Sequence, residues 1–318
     1  MKKALKIVGI SVVSVICLLL AAVLLFLGGL NVAKFIIYDE YYDIEEDVCK
    51  NPGLSDGFVC QGIAASEKNG VILVSGYMKD HSASRIYVTN EKNESYYVSL
   101  MKNGEVFDGH AGGIATTGDT VYLANGSKVY SFAIADLLAL KNGERLEIGA
   151  GHDVNVSAAF VYTDEEYLYV GEFHDGGAYI VEGHESETAE GTHYAYCTKY
   201  ALSDLTKPLK VYSIRNKVQG ICFTPGGKVV MSTSYGLSDS VYYVYDEAKA
   251  TDSGKTVDGA PLYYLDTLEK SVNGPAMSED LDWYNGKVIT LSESASDKYI
   301  FGKFFFADKI VVLDFFAD

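Results

Sequence analysis

Several features of common enzyme families are missing from this 318-residue chain. It has five prolines, one tryptophan and no C-x-x-C pair, and it lacks the G-x-S-x-G elbow, the P-loop and the dinucleotide-binding glycine pattern. A zinc or dithiol motif, an elbow-type serine hydrolase and a nucleotide-binding fold therefore have no support. Tyrosine, in contrast, occurs 25 times. Tyrosine favours strands, because its ring fits a pleated surface and its hydroxyl reaches water.

Positive charge is scarce beyond the first 38 residues. Residues 39–318 contain 22 Lys and Arg against 43 Asp and Glu. Such a surface repels nucleic acid and anionic lipid, so no nucleic-acid partner is expected, whereas cations such as Ca²⁺ are tolerated or attracted. Solubility alone also accounts for the excess of acids.

The N-terminal segment contains a long apolar run. Ile7–Leu30 has no charged residue and follows Lys2, Lys3 and Lys6. About 20 apolar residues span a bilayer as a helix, and flanking lysines favour the cytoplasmic side. Residues 1–34 are therefore predicted to be a cytoplasmic tip and a single-pass signal anchor, with the remainder extracytoplasmic. A cleaved signal peptide is the alternative, but its apolar region is usually about 7–15 residues long.

The five cysteines suggest one disulfide. Cys49 and Cys60 flank a short loop, and outside the cytoplasm they are candidates for a disulfide bond. Cys197 and Cys222 lie in strand-like runs and are expected to be buried as small apolar residues.

Beyond residue 56 the chain repeats itself. Five places, roughly 46–61 residues apart, carry a small or polar pair before an apolar run, namely Gln61-Gly62-Ile63, Gly112-Gly113-Ile114, Ala158-Ala159-Phe160, Gln219-Gly220-Ile221 and Glu279-Asp280-Leu281. Each is followed by turn residues and further short strands. Periods near 40–50 residues are typical of propeller blades with four strands each. We therefore predict that residues 57–318 form an all-β propeller of five blades, with six blades as the alternative.

The outer strands and the closure of the ring are harder to place. Fourth strands are predicted at Tyr96–Leu100, Leu146–Ile148, Leu209–Ser213 and Pro261–Tyr264. The last unit ends at its third strand, which leaves an edge unpaired. Residues 35–56 are a connecting segment, and its apolar stretch Phe35–Tyr42 is predicted to supply the missing strand. One short soluble helix is expected at Ala133–Lys141.

These repeat units resemble a known architecture. The segments around Gly109-His110-Ala111, Val170-Gly171-Glu172 and Ser278-Glu279-Asp280, together with Gln219-Gly220-Ile221, resemble those of uncharacterised secreted or membrane-anchored bacterial β-propellers. More remotely, they are similar to streptogramin-lyase and gluconolactonase-type propellers. The resemblance covers roughly residues 57–318. It implies a propeller fold and, for the gluconolactonase type, a divalent cation held in the central tunnel by Glu, Asn and Asp. The full ligand motif of that type is absent.

Propeller geometry predicts where polar residues meet. In a propeller the start of each first strand and the end of each second strand lie at one mouth of the channel, which is the default place for a ligand. The predicted ligand-binding residues are Gln61, His110, Ser157, Gln219 and Tyr235.

The same mouth suggests two kinds of chemistry. Glu172, Glu279, Asp280 and Glu293 offer oxygens for a hard cation such as Ca²⁺ or another divalent ion. His110 and Glu172 are the candidate catalytic residues, with His110 as a general base. Polar residues in a wet channel also serve simply to bind water and backbone. The acidic insert Asp175–Thr192 is interpreted as a solvated loop, with metal binding as the alternative.

Three functions are compatible with these features. The first is a membrane-anchored, extracytoplasmic module that binds a small molecule or a protein. The second is a metal-dependent hydrolase or lyase with its site at the channel mouth. The third is a structural or sensory subunit of an envelope complex. Whether the protein is an enzyme is left open by its sequence.

Overall fold

The N-terminal part of the protein is helical. The structure, a computed structural model, describes residues 2–177, 179 and 181–317. It begins with a long helix, α1 (Lys2–Ile37), followed by a short one, α2 (Asp39–Ile44). The stretch Val12–Ile37 of α1 contains an 18-residue window with a mean hydropathy of 2.9, and no residue of that window is buried. It is a candidate membrane span and overlaps the predicted span Ile7–Leu30.

The rest of the described chain is mostly β and forms five consecutive units. After β1 (Glu45–Lys50), the first unit contains the antiparallel strands β2 (Phe58–Ser66), β3 (Val71–Met78), β4 (Arg85–Asn90) and β5 (Ser95–Lys102), with the short β6 (Glu105–Val106) at its edge. The tight turn between β2 and β3 ends at Gly70, whose φ of 62° suits a residue without Cβ.

The second unit uses long strands that change partners. It contains β7 (Gly113–Thr116) and β8 (Thr120–Ala133), and the N–H group of Ile134 donates to the carbonyl of Asp119 at 2.9 Å. The two ends of β8 therefore meet, so this segment doubles back near Gly126. Next come the short helix α3 (Ile134–Leu138), β9 (Arg145–Glu147) and β10 (His152–Thr163). The beginning of β10 pairs with β8, and its end belongs to the third unit.

The third and fourth units are regular, each with an attached hairpin. The third consists of the end of β10 with β11 (Tyr167–Glu172), β14 (Ala195–Ala201) and β15 (Asp204–Ile214), and it carries the hairpin of β12 (Ser186–Thr188) and β13 (Gly191–His193). The fourth consists of β16 (Val218–Phe223), β17 (Lys228–Thr233), β18 (Ser240–Asp246) and β21 (Leu268–Gly274). Between its last two strands lie β19 (Thr251–Val257) and β20 (Ala260–Tyr264).

The fifth unit joins both ends of the domain. Its strands β22 (Ser278–Tyr284), β23 (Lys287–Ser292) and β24 (Lys309–Leu313) are completed by β1, which pairs antiparallel with β24. A missing outer strand is thus supplied from residues 35–56. The prediction that Phe35–Tyr42 supplies it is wrong, because this stretch lies in α1 and α2, where Tyr41 packs on Tyr242 at 5.8 Å.

The innermost strands of the five units contact one another in cyclic order. The sequence of contacts is β2 with β7, β7 with β10, β10 with β16, β16 with β22 and β22 with β2. Apolar clusters fill the spaces between neighbouring units, and one of them joins Phe58 and Ile63 of the first unit to Ile289 and Ile310 of the fifth. Burial of these side chains stabilises the arrangement. The domain is therefore propeller-like.

The repeated small residues have a physical reason. A Cβ on Gly62, Gly113 or Gly220 would come within 2.6 Å of backbone atoms of the next innermost strand, at Ile114, Phe160 and Asp280 respectively. Real Cβ atoms do not approach backbone so closely, because close-packed interiors have no spare volume. The anchors of the sequence repeat are therefore the points where these strands crowd together.

Some outer elements differ from the sequence prediction. Two of the predicted fourth strands, Leu146–Ile148 and Pro261–Tyr264, are wrong as outer strands of the second and fourth units. The strand β9 at Arg145–Glu147 pairs with β5 of the first unit, and β20 at Ala260–Tyr264 pairs with β15 of the third. The insert 175–192 is also more than a solvated loop. Its Glu190 pairs with Arg215 and accepts a hydrogen bond from the Tyr245 hydroxyl at 2.8 Å. The predicted helix Ala133–Lys141 is confirmed in part as α3.

The predicted disulfide is not formed. Cys49 and Cys60 are free thiols, and the Sγ of Cys60 accepts from Asn51 Nδ2 at 3.2 Å and lies 3.4 Å from the carbonyl of Ser292. Cys60 lies on the innermost strand β2, whereas Cys49 lies on the outermost strand of the fifth unit. Cys197 and Cys222 are buried, as predicted.

Candidate functional site

A large cavity opens at the end of the axis where the first strands begin. Its volume is about 890 Å³, and side chains from all five units line it. Seven of the residues predicted from sequence face it, namely Gln61, His110, Ser157, Gln219, Tyr235, Glu279 and Glu293. A concave site with few polar groups and apolar walls is the usual form of a small-molecule site.

Local irregularities aim these side chains at the cavity. The pairing register of the first and second strands shifts near Cys60, Ala158, Val218 and Ser278, each at the cavity end of its strand. A β-bulge adds a residue to one strand and turns the following side chains. Because of these bulges, the polar residues at the strand starts do not follow the regular alternation of side chains between the two faces of the sheet.

Two glutamates form the acidic part of the cavity wall. Glu279 is 3% exposed and Glu293 is 9% exposed, and Gln61 Nε2 donates to Glu293 Oε2 at 3.0 Å. Burial raises the pKa of Glu293 to about 7, although hydrogen bonding from Tyr299 and the charge of Lys298 oppose this shift. Burial and the charges of Glu293 and Asp280 raise the pKa of Glu279 well above its usual range. The pair therefore retains a proton near neutral pH.

An aromatic and cationic group lies beside the two acids. The hydroxyls of Tyr77 and Tyr299 are 3.3 Å apart, and the Lys298 ammonium contacts the Tyr77 hydroxyl and lies 4.5 Å from the centre of its ring. The His110 ring stacks on Tyr77 at 4.6 Å. Enclosure of the His110 ring in the cavity wall, and to a smaller extent the charge of Lys298, lowers the pKa of His110 to about 4, although the residue as a whole remains exposed. His110 is therefore neutral near pH 7.

The outer part of the cavity is apolar. Phe173 contacts Tyr179 and Tyr235, with ring centres 5.7 and 6.3 Å apart. Ile300 and Phe301 line the same cavity, although 79% and 63% of their surfaces remain exposed. Large apolar side chains left this exposed around an opening are a feature of interaction sites.

Asp280 lies next to the cavity wall but does not line it. Its buried carboxylate accepts hydrogen bonds from the backbone N–H groups of Ile63, Ile114 and Leu281, at 3.3, 3.4 and 3.0 Å. These groups belong to the first, second and fifth units. Asp280 thus holds three innermost strands together, although burial still raises its pKa.

Glu172 is also separate from the cavity. It is 1% exposed and accepts from the backbone N–H groups of Ser157 at 3.1 Å and Tyr196 at 2.9 Å, and His184 Nδ1 lies 2.9 Å from its second oxygen. The structure therefore does not bring together the two residues predicted as catalytic, since His110 lines the cavity and Glu172 is enclosed by partners.

The four acids predicted as metal ligands are divided in the same way. Glu279 and Glu293 face the cavity, Asp280 binds backbone N–H groups and Glu172 binds His184. Among the residues that the structure describes, no group of three or more His, Cys, Asp or Glu is placed to hold a metal ion. The oxygens of Asp280 and Glu172 are already engaged in hydrogen bonds.

Sequence reasoning missed one part of the site. The loop between β23 and β24 brings Lys298, Tyr299, Ile300 and Phe301 to the cavity. A signal was present, because the fifth unit has an unusually long gap between its second and third strands, and Phe301-Gly302-Lys303-Phe304-Phe305-Phe306 within it is strongly aromatic.

Comparison with known proteins gives structural neighbours only. No protein-family model matches the chain, and the search of curated proteins finds no relative by sequence. The chain is similar to the PQQ-bound aldose sugar dehydrogenase of Streptomyces coelicolor, with 12% identity, a TM-score of 0.48 and coverage of 84% of this chain and 96% of that one. It is also similar to BamB of Moraxella catarrhalis, with 9% identity, a TM-score of 0.33 and coverage of 80% and 82%.

A third neighbour is the Dos1 propeller, with 8% identity, a TM-score of 0.35 and coverage of 78% of this chain and 68% of that one. No statement about ligand or activity follows from these neighbours, and the assignment of the fold depends on the strand order and the cyclic contacts described above.

Proposed function

We propose that this protein is a membrane-anchored, extracytoplasmic five-bladed β-propeller that binds a small organic ammonium compound in its axial cavity. The five cyclic contacts and the closing strand β1 support the blade number. The lysines before the apolar helix support a cytoplasmic N-terminus. The observation that carries the ligand class is the buried pair Glu279 and Glu293.

The acid pair favours a cationic ligand. Burial and two negative charges raise the pKa of Glu279, and of the two glutamates it is Glu293 whose pKa the charge of Lys298 lowers. An ammonium group placed between the carboxylates removes their mutual repulsion and lets both ionise. The rings of Tyr77 and Tyr299 already lie 4.5 and 5.1 Å from the Lys298 ammonium, an arrangement typical of aromatic groups that attract cations. An organic cation meets this combination of acids and rings without requiring a metal-ligand set.

Methionine NMR provides a direct test. Met277 lines the cavity, whereas Met78, Met101 and Met231 are buried elsewhere and serve as internal references. With ¹³C-methyl methionine in the full chain, held in phosphatidylcholine nanodiscs, ethanolamine should shift the Met277 signal and leave the references unchanged. The shift should saturate at lower ethanolamine concentration at pH 8 than at pH 5, because the acids must lose protons to attract the cation.

Matched variants and ions sharpen this test. Replacing both cavity acids, Glu279→Gln with Glu293→Gln, should abolish the ethanolamine response, whereas Glu269→Gln at a surface ion pair should leave it intact. A Met277 signal that ignores ethanolamine but moves with CaCl₂, and returns with chelator, would overturn the proposal in favour of a metal site. No response to either cation would also contradict it.

One observation supports a second candidate, an acid–base enzyme. A carboxyl group whose pKa lies near neutrality is suited to give and take protons, and burial raises the pKa of Glu293 to about 7. A hydrolase or lyase of this kind would use the Glu279–Glu293 pair rather than His110 with Glu172. Conversion of a bound compound that is lost in Glu293→Gln, while its binding persists, would favour this candidate over a binding module.

A further inference from the structure

The loops that line the cavity also hold the end of the apolar helix. Asn31 Nδ2 donates to the carbonyl of Lys303 at 3.1 Å, and the N–H group of Phe306 donates to Asn31 Oδ1 at 3.0 Å. The Tyr38 hydroxyl donates to Asp239 at 2.8 Å, in the loop that follows Tyr235 and Leu237. Both loops connect a second strand to a third, so α1 meets the domain at the end that contains the cavity.

Aromatic residues continue from the helix to the cavity mouth. Phe26, inside the candidate span, contacts Phe304 with ring centres 6.3 Å apart, and Phe304 contacts Phe301 at 5.7 Å. Phe301 in turn lines the cavity. Because Phe26 lies about two turns before Lys34, the first charged residue after the apolar stretch, its contact places Phe304 close to the depth at which hydrocarbon begins.

The mouth has the composition of a membrane-facing surface. The exposed side chains around it are Tyr179, Tyr235, Leu237, Ile300 and Phe301, with exposures between 45% and 79%. Lys298 lies among them, and the half-buried Lys303 follows in the same loop with its ammonium bonded to the carbonyls of Ala295 and Ser296. The turns at the other end of the strands are polar or acidic, as at Asp164-Glu165-Glu166. Aromatic residues with lysines are enriched where a protein meets the bilayer interface.

We propose that the cavity mouth lies on the bilayer surface and that its ligand enters from the lipid phase as an amphiphile with an ammonium head group. The ligand class depends on the function proposed above, whereas the position of the mouth does not. The head group reaches Glu279 and Glu293 at the depth of the cavity, while the apolar chain lies along Phe173 and Phe301 toward the lipid. The helix end and the mouth thus form one continuous apolar surface. Because the helix end lies in the bilayer, we expect lipid to cover the mouth as well.

Tryptophan quenching by brominated lipids tests the position of the mouth. The native chain has a single tryptophan, Trp283, near the end of β22 that is remote from the cavity. In liposomes of dibrominated phosphatidylcholine, Trp283 should remain unquenched, and Phe301→Trp should add emission of which more than half is quenched. Glu166→Trp, in a turn at the opposite end of the strands, is the matched control and should not be quenched.

A comparison of head group and chain tests the route of entry. The Met277 NMR signal should respond to N-dodecylethanolamine at least tenfold below the concentration required for ethanolamine. Replacing the two exposed apolar residues of the mouth, Ile300→Ser with Phe301→Ser, should weaken the response to N-dodecylethanolamine at least tenfold more than the response to ethanolamine. Equal loss for both compounds would overturn the lipid-phase route.

Failure of the membrane-facing mouth and failure of the ammonium ligand give different results in these experiments. An unquenched Phe301→Trp would overturn the membrane-facing mouth even if ethanolamine binds. A quenched Phe301→Trp with no Met277 response to either amine would contradict the ammonium ligand and retain the position of the mouth.

Discussion

Two buried carboxylate sites in this domain differ in how their charge is balanced. Glu172 is surrounded by two backbone N–H groups and His184, all within 3.1 Å. Glu279 and Glu293 lie within electrostatic reach of each other, and the side-chain donors at this pair, Gln61 Nε2 and the Tyr299 hydroxyl, both bond Glu293. A buried charge is costly unless it is paired and hydrogen-bonded. The fully paired carboxylate therefore supports the fold, and the acid pair, whose pKa values burial raises, is the less well balanced of the two sites.

Removing the fully paired carboxylate should have the largest effect on stability. Glu172→Ala leaves the N–H groups of Ser157 and Tyr196 and the ring of His184 without their partner, at about 1–3 kcal/mol for each buried group. We expect a loss of about 3–5 kcal/mol in the free energy of unfolding, measured by urea denaturation of the full chain in detergent.

Two variants show whether this loss comes from the buried contacts. Glu172→Gln keeps an acceptor oxygen and should lose less stability, and Glu187→Ala on the exposed β12–β13 hairpin should lose almost none. If Glu172→Ala were as stable as the native protein, the distinction between the two carboxylate sites would not hold.

The acid pair should respond to pH in the opposite sense from an ordinary paired carboxylate. Burial raises the pKa of folded Glu293 to about 7, so the folded state keeps its proton while the unfolded state loses it above about pH 4.5. Stability should therefore fall as pH rises from about 4.5 to about 7. At about 1.4 kcal/mol for each pKa unit, the loss is roughly 3–4 kcal/mol.

Substitution by an amide isolates this contribution. Glu293→Gln should be more stable than the native protein at pH 7 and should show a flatter dependence of stability on pH between 4.5 and 7. Thermal melts of the full chain across this range provide the measurement, with Glu269→Gln as the control at an exposed ion pair. An unchanged pH profile in Glu293→Gln would show that this group does not carry the charge imbalance.

The sequence predicted the axial part of the fold better than its edges. The anchors Gly62, Gly113 and Gly220 recur because each innermost strand approaches its neighbour too closely for a Cβ, and this requirement leaves a readable repeat. Outer strands face fewer neighbours, and their patterns allow more than one partner. The outer strands β9 and β20 accordingly pair with neighbouring units, and the ring is completed by β1 rather than by Phe35–Tyr42.

The residues of the candidate site were predicted from the same repeat. That prediction was wrong at positions where the repeat does not determine the direction of the side chain or the path of a loop. Gln61, His110, Gln219 and Glu279 lie at strand starts, so blade geometry places them at the mouth. Whether an acid there faces the cavity or a backbone N–H group depends on a bulge, as the adjacent Glu279 and Asp280 show. The Lys298–Phe301 segment lies in the loop between β23 and β24, outside the repeated strand pattern.

The smallest expected effect concerns His110, which lies beside the acid pair yet is held neutral. Burial is the larger cause and the Lys298 charge the smaller one in lowering the pKa of His110 to about 4. Lys298→Met should therefore raise this pKa by less than about one unit, as a histidine NMR titration of the full chain would measure, with His110→Gln identifying the signal. Lys102→Met, at a lysine that bonds Tyr130 away from the cavity, should leave the pKa of His110 unchanged.

Because the folded pKa lies below the unfolded value near 6.5, His110 destabilises the fold as pH falls below about 6.5, and Lys298→Met should lessen this loss slightly. A native His110 that titrates near 6.5 would show that its exposed side, rather than its enclosed side, decides its pKa, and a general-base role would then return to consideration for this side of the cavity.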